Sequence, residues 1–269
     1  MKPLVAYLAY EPFKFEKLNK FIENYVFYNS GYEHDLLICF KGFKNSETIS
    51  EWKKKIKVSF IEFNDSNQLN DFDIGSFFRI AEKYKDRNIF FIGSHCLPIF
   101  NNWLKILFNH FENKMLLGPF SSYASISSEF LSFYHHNYSK SQQLRWGIKH
   151  LFKFKLFPNP HVRTSTFLIN AKDLLSCDFN RKKFTYKIET NYFESGRNSI
   201  TNQLLKKGFK VGIVNSDNKY FSIDEWKKSQ TYALDKQQKL IFSDNRTNIY
   251  FEASSDRKDM IRKNNWGSK

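Results

Sequence analysis

The chain has 269 residues, a formal net charge of +15 and a pI near 9.5, which points to anionic partners such as nucleotide phosphates, acidic lipid or nucleic acid. Hydrophobic residues make up 41% of it, with 30 Phe and 14 Tyr, ample for an aromatic core. No segment offers the roughly 20 apolar residues needed to span a bilayer, and the apolar run before Glu11 is too short for a secretory signal; the reading is a protein that is soluble or peripheral.

Leu4 to Tyr10 reads as a strand, and Phe13 to Tyr28 as a helix with Leu18, Phe21, Ile22, Tyr25 and Val26 on its apolar face. Asp35 to Phe40 and Ile56 to Phe63 read as further strands, with Asn64 to Asp73 a polar loop. Ile74, Phe77, Phe78 and Ala81 then give one face of a helix. The continuous run Ile89 to Ile92 is the pattern of a strand covered on both sides. Gly93-Ser94-His95-Cys96 interrupts it, and Trp103 begins another helix. Strand–helix alternation of this kind argues for a parallel sheet flanked by helices, with ligands just beyond the carboxyl ends of the strands. No GxGxxG follows the first strand.

Leu116 to Phe120 resembles a strand leading into a serine-rich loop, Ser121 to Ser128. Residues 129–160 change character: Leu144 to Phe157 mixes cations with Trp and Phe, a pattern that suits a surface helix or the interface of an anionic membrane. His161 to Asn170 reads as one strand, whose period of two puts His161, Arg163 and Ser165 on one face. Such a polar row needs a wet cavity or partners, and Arg163 can hold a phosphate with two parallel hydrogen bonds. Ser199 to Gly208 is a helix with a glycine stop. Glu194, before a turn and that helix, either takes a proton from a hydroxyl or supports the helix N-terminus. Phe209 to Asn215 returns to the sheet.

Cys39, Cys96 and Cys177 are odd in number and widely spaced, as in reduced thiols of a cytosolic protein. The adjacent His135 and His136 give no metallohydrolase spacing. The cations are spread along the chain and no recognised nucleic-acid motif is present, which disfavours nucleic acid as partner.

The stretch Asp71 to Leu107, with its acidic loop, helix, apolar strand and polar tip, resembles the centre of a GT-A-type nucleotide-sugar glycosyltransferase. The later motifs HVRTSTFLI, FESGRNSIT and SDNRTNIY, with Trp226, Ser229 and the Trp266-Gly267 tail, are similar in order to bacterial glycosyltransferases that build cell-surface polysaccharides. The resemblance implies an α/β fold: a GT-A-like, Rossmann-type, mixed but mostly parallel sheet in a single globular unit with a helical insertion. Residues 1–128 become the nucleotide-sugar half, 129–160 a basic aromatic insertion, and 161–269 the acceptor half and tail.

The same resemblance implies the site. Ser94 and His95 take the position of the family's Asp-x-Asp at the sugar diphosphate. Lys41, His161 and Arg163 are placed near that diphosphate, Asp71 and Asp73 at the base or ribose, and Tyr10 stacked on the base. Glu194 is the general base of an inverting transfer; a retaining enzyme would not need it. Partners are a nucleotide-sugar donor, a glycan or lipid-linked acceptor, and an anionic membrane surface on the inner face of the plasma membrane. Without a carboxylate at the tip, His95 is the remaining ligand for Mn²⁺ or Mg²⁺, and a metal-free site is the equal alternative. The other readings are a catalytically silent relative that binds nucleotide or glycan, and a basic nucleic-acid-binding protein.

Overall fold

The computed structural model describes residues 1–66, 71–133, 137–179 and 187–267; His135 and His136 lie outside them. The first half alternates as its periodicity requires. Strand β1 (Leu4–Tyr10) leads through a short 3-10 turn to helix α1 (Lys14–Phe27). Then follow β2 (Asp35–Lys41), α2 (Ser46–Lys55), β3 (Ile61–Asp65), α3 (Phe72–Lys83) and β4 (Asn88–Ile92). Helix α2 was not legible in the sequence: only Trp52 is buried on it, too little for a periodic signal. The strand expected from Ile56 starts instead at Ile61, because Ile56 caps α2 and the chain needs residues 57–60 to return to the sheet.

After β5 (Leu97–Pro98) and α4 (Trp103–His110) come β6 (Met115–Gly118), β7 (Ser121–Ser122), α5 (Ile126–Leu131) and α6 (Lys140–Leu151). Strand β8 (His161–Val162) stops after two residues and β9 (Thr166–Asn170) starts afresh, so His161 to Asn170 is not one strand. The chain finishes with α7 (Ala171–Leu175), α8 (Ile188–Ser195), α9 (Ile200–Lys206), β10 (Lys210–Val214), β11 (Tyr220–Ser222), β12 (Phe242–Ser243), α10 (Asn245–Glu252) and α11 (Ser255–Trp266).

The central sheet has eight strands in the order β11-β10-β6-β9-β4-β1-β2-β3. Its β3-β2-β1-β4 part is parallel, and β10 is parallel to β6. Strand β9 runs antiparallel between β4 and β6, and β11 antiparallel on β10. This is a mixed, mostly parallel sheet flanked by helices, and strands from 1–128 and 161–269 interleave in it. The central strands β1, β2 and β4 are buried on both faces, hence their unbroken apolar runs. Phe77, Phe91 and Phe167 pack ring against ring between α3, β4 and β9. All three cysteines are buried and unpaired.

Candidate active site

The parallel strands β1 and β4 end side by side, and a narrow cleft of about 300 Å³ opens there. Its floor is the tip Gly93–Cys96. Ser94 ties the two strand ends together: its hydroxyl donates to Leu8 O at 2.7 Å and its carbonyl accepts from Tyr7 at 3.0 Å. That hydroxyl proton is therefore engaged within the protein. His95 lies against the Phe13 ring, 4.2 Å between centroids, and its buried Nδ1 has no partner. Burial, then the charges of Lys17 and Lys187, hold its pKa below the ordinary value, so the ring is neutral at pH 7. Tyr10 borders the cleft with Phe13 edge-on at 5.1 Å, leaving an aromatic wall at the end of β1.

Lys41 and Asp71, expected at the diphosphate and at the base or ribose, occupy a buried charge network instead. Lys41 Nζ lies 2.6 Å from Asp71 Oδ1 and 3.5 Å from Asp65 Oδ2, and donates to Ser76 at 3.1 Å. Arg79 reaches both carboxylates, 2.5 Å from each. Lys41 borders the cleft with its ammonium held by these acids; Asp71 is 1% exposed and is not part of the cleft wall. The register explains the arrangement. Lys41 pairs with Asp65 across β2 and β3, while Asp71 stands at the residue before α3, where its side chain makes no capping bond but folds over Gly75, a position at which a Cβ would fall 1.9 Å from the carboxylate. Arg79, two turns along α3, closes the network.

Asp73, in the first turn of α3, does face the cleft. Burial, with the charge of Glu194 opposite, pushes its pKa up to about 6.

On the other wall the chain leaves β8 and runs irregularly through Arg163-Thr164-Ser165. The broken strand still brings this polar row together, through an acid that the sequence analysis did not single out. Asp244 Oδ2 lies 2.7 Å from Arg163 Nη2 and accepts from Ser165 Oγ at 3.3 Å. Its Oδ1 caps α10 by accepting from Arg246 N and Thr247 N, both at 2.9 Å. The signal was present as Asp244 with Thr247 three residues on, a capping-box spacing. Arg163 also lies 4.5 Å over the Tyr232 ring, and its Nη1 is buried with no partner.

His161 Nδ1 is 2.8 Å from Asn159 O. A carbonyl only accepts, so Nδ1 carries the proton and Nε2 is left as an acceptor. Burial holds this ring's pKa below the usual value, outweighing the attraction of Glu194.

Glu194 lies in the last turn of α8, ahead of the turn that leads to α9, at the end where a helix dipole disfavours a carboxylate. Thr164 compensates: its N–H and hydroxyl both donate to Glu194 Oε2, at 3.0 and 2.7 Å. Burial alone would raise this carboxyl's pKa, but the His161 ring, the Arg163 guanidinium and the two Thr164 bonds together hold it below the usual range.

A second, wider cleft of about 720 Å³ opens on the far side of Glu194, bordered by α5, α10 and α11. Tyr138, Tyr232, Asn264, Asn265, Asp256 and Arg257 line it, a mixture of rings, amides and paired signs of charge suited to sugar hydroxyls. The two clefts share Arg163, Asn191, Glu194 and Arg246. Asn191, Thr164, Lys187 and Arg246 were not singled out in the sequence, because none belongs to a recognisable spacing.

The residues at the tip do not suit Mg²⁺ or Mn²⁺. Those ions want several oxygen ligands, yet the Ser94 hydroxyl is tied to Leu8 and the Asp244 oxygens to Arg163, Ser165 and α10. Among the described residues no group of three or more His, Cys, Asp or Glu is arranged to hold a metal.

No protein-family model matches the sequence, and no curated protein does either. Several solved structures are similar in fold. The glycosyltransferase GlyE of Streptococcus pneumoniae TIGR4 shares 14% identity over 78% of this chain, with a TM-score of 0.39; the chain spans 45% of GlyE. The galactosyltransferase LgtC, in complex with donor and acceptor sugar analogues, shares 12% identity over 79% of this chain and 73% of its own, with a TM-score of 0.42. The S. cerevisiae mannosyltransferase Ktr4p, in complex with GDP, shares 13% identity over 78% of this chain and 68% of its own, with a TM-score of 0.37. Likenesses this distant leave the activity to be argued from the site.

Proposed function

We propose that the protein is a glycosyltransferase, moving a sugar from a nucleotide-sugar donor to a hydroxyl of a glycan or lipid-linked acceptor in cell-surface polysaccharide synthesis. One observation carries this reading: two clefts of different size meet at a half-buried, ionised carboxylate, Glu194. The narrow cleft, with Tyr10 at one end and His95, Lys187 and Arg163 around it, takes the nucleotide and its diphosphate. The wide cleft takes the acceptor. Only a residue common to both can touch an acceptor hydroxyl and the anomeric centre together.

In the reaction the acceptor oxygen attacks the anomeric carbon from the wide cleft. The bond from that carbon to the donor phosphate oxygen breaks, and the nucleoside diphosphate leaves with the electron pair. The hydroxyl proton passes to Glu194 as the new C–O bond forms. Arg163, with its unpartnered buried N–H, and Lys187 face the charge that develops on the leaving phosphate. Attack from the opposite side inverts the anomeric configuration. No step is routed through a metal, because the donor set at the tip does not fit one.

A second reading, a nucleotide- or glycan-binding protein without turnover, is favoured by the tip, which has no carboxylate. A thermal-shift panel of UDP, GDP, CDP and TDP with their sugars, in Mn²⁺ and in EDTA, tests both. A ligand at about 100 times its dissociation constant adds about 2.7 kcal/mol. A shift with one nucleotide class that survives EDTA is the expected result; no shift with any nucleotide would remove the transfer reading and leave only a glycan-binding protein. A shift without nucleotide release on incubation would leave only the second.

A further inference from the structure

Helix α6 buries one face and leaves an unusual one outside. Gln143, Gly147 and His150 face inward, and α5 approaches so closely that a Cβ on Gly147 would come 2.7 Å from Leu131. Outward, Leu144, Ile148 and Phe152 follow one another every fourth residue, 47%, 50% and 81% exposed. Arg145, Lys149 and Lys153 stand one residue further on, so a row of cations runs beside the apolar row. Trp146 is 39% exposed in the same helix, with Lys149 Nζ 4.7 Å over its ring. Between Glu129 and Asp173 the sequence contains no Asp or Glu, so this segment supplies no carboxylate to neutralise the row.

Such a surface is selective about what covers it. A second copy would set cations against cations, which opposes self-association. A bilayer with anionic headgroups meets both rows at once: the apolar side chains enter the acyl boundary while the cations stay at the phosphates. With 12 residues α6 is too short to span a bilayer but long enough to lie along its surface, and no described helix is long and apolar enough to cross a membrane. We propose that the outer face of α6 is a docking surface for an anionic lipid bilayer.

The surface adjoins the wide cleft. Helix α5 packs against α6, and Ile126 of α5 and Tyr138, just before α6, line that cleft. Docking therefore sets the cleft mouth beside the headgroups, so that an acceptor on a lipid carrier is glycosylated while its chain stays in the bilayer. This last step rests on the glycosyl-transfer reading; the docking itself does not.

The test is sedimentation of the full chain with vesicles of phosphatidylglycerol and phosphatidylcholine, against phosphatidylcholine alone. Binding to the anionic vesicles is expected to be at least about tenfold tighter and to weaken in high salt. Trp146 serves as a built-in probe, since the other four Trp are at most 7% exposed. Its emission is expected to be quenched by lipids brominated on the acyl chain, and the Trp146→Phe variant to lose that quenching. A variant carrying Leu144→Ser, Ile148→Ser and Phe152→Ser is expected to lose at least about tenfold in vesicle affinity with an unchanged melting temperature. Equal binding to both vesicle types, wild-type binding by the triple variant, or binding to soluble polyglutamate but to no vesicle would overturn the proposal. Vesicle binding without any nucleotide binding would uphold the docking surface and remove the transfer reading.

Discussion

Thr164 gives both of its donors to a single oxygen of Glu194, the backbone N–H at 3.0 Å and the hydroxyl at 2.7 Å. Two hydrogen bonds to the charged form favour ionisation and also fix the carboxylate plane, leaving Oε1 to meet a substrate. They do so at a helix C-terminus, where the backbone alone would disfavour the charge.

Removing the hydroxyl should therefore move a titration. Thr164→Val keeps the backbone bond and loses the other, so the pKa of Glu194 rises. The acid limb of the pH–rate profile is expected to shift to higher pH, with the alkaline limb unmoved. An unchanged acid limb would show that Glu194 does not set it.

Asp73 behaves in the opposite way. Its folded pKa is raised from 3.8 to about 6, so the folded state binds the proton more tightly than the unfolded chain. Stability contributed by the protonated form is present below 3.8 and is lost as pH rises to about 6. Asp73→Asn is expected to raise the melting temperature at pH 8 and to leave it nearly unchanged at pH 3.5. Turnover should fall at pH 8, where Asp73 carries its charge, the usual trade when a site holds a charge at a cost to the fold. Melting curves of the two proteins across that range check the sign.

Arg79 neutralises Asp65 and Asp71 together beneath the cleft, with its side chain only 17% exposed. Arg79→Ala leaves two buried carboxylates facing one ammonium, and is expected to cost about 3–5 kcal/mol. Urea unfolding measures it. A loss below about 1 kcal/mol would mean that the pairs act as surface ion pairs do.

The contrast between Lys41 and Arg163 shows what the sequence could tell. Both stand at strand ends and both were read as phosphate ligands. Arg163 keeps a free N–H between the clefts, whereas Lys41 is held by Asp65 and Asp71. Nothing local distinguishes them; the difference arises from which acid the sheet register and the start of α3 bring alongside. The strands β1, β2 and β4 were legible because burial on both faces writes an unbroken apolar run. Helix α2 was not, having a single buried anchor, Trp52. His161 and Arg163 were legible as polar groups in an otherwise apolar stretch, and Glu194 as a carboxylate ahead of a turn and a helix. Their organisers Thr164 and Asp244 were hidden, since a Thr after Arg and a helix-capping Asp look ordinary until the fold places them side by side.

The most direct test is release of nucleoside diphosphate from a panel of nucleotide sugars, with wild-type protein and with Glu194→Gln, alongside binding of the same donors. One donor class is expected to bind both proteins alike. Wild type is expected to release the diphosphate, and Glu194→Gln to do so about 10²–10⁴-fold more slowly. Equal release by the two proteins, or no donor bound by either, would contradict the transfer reading.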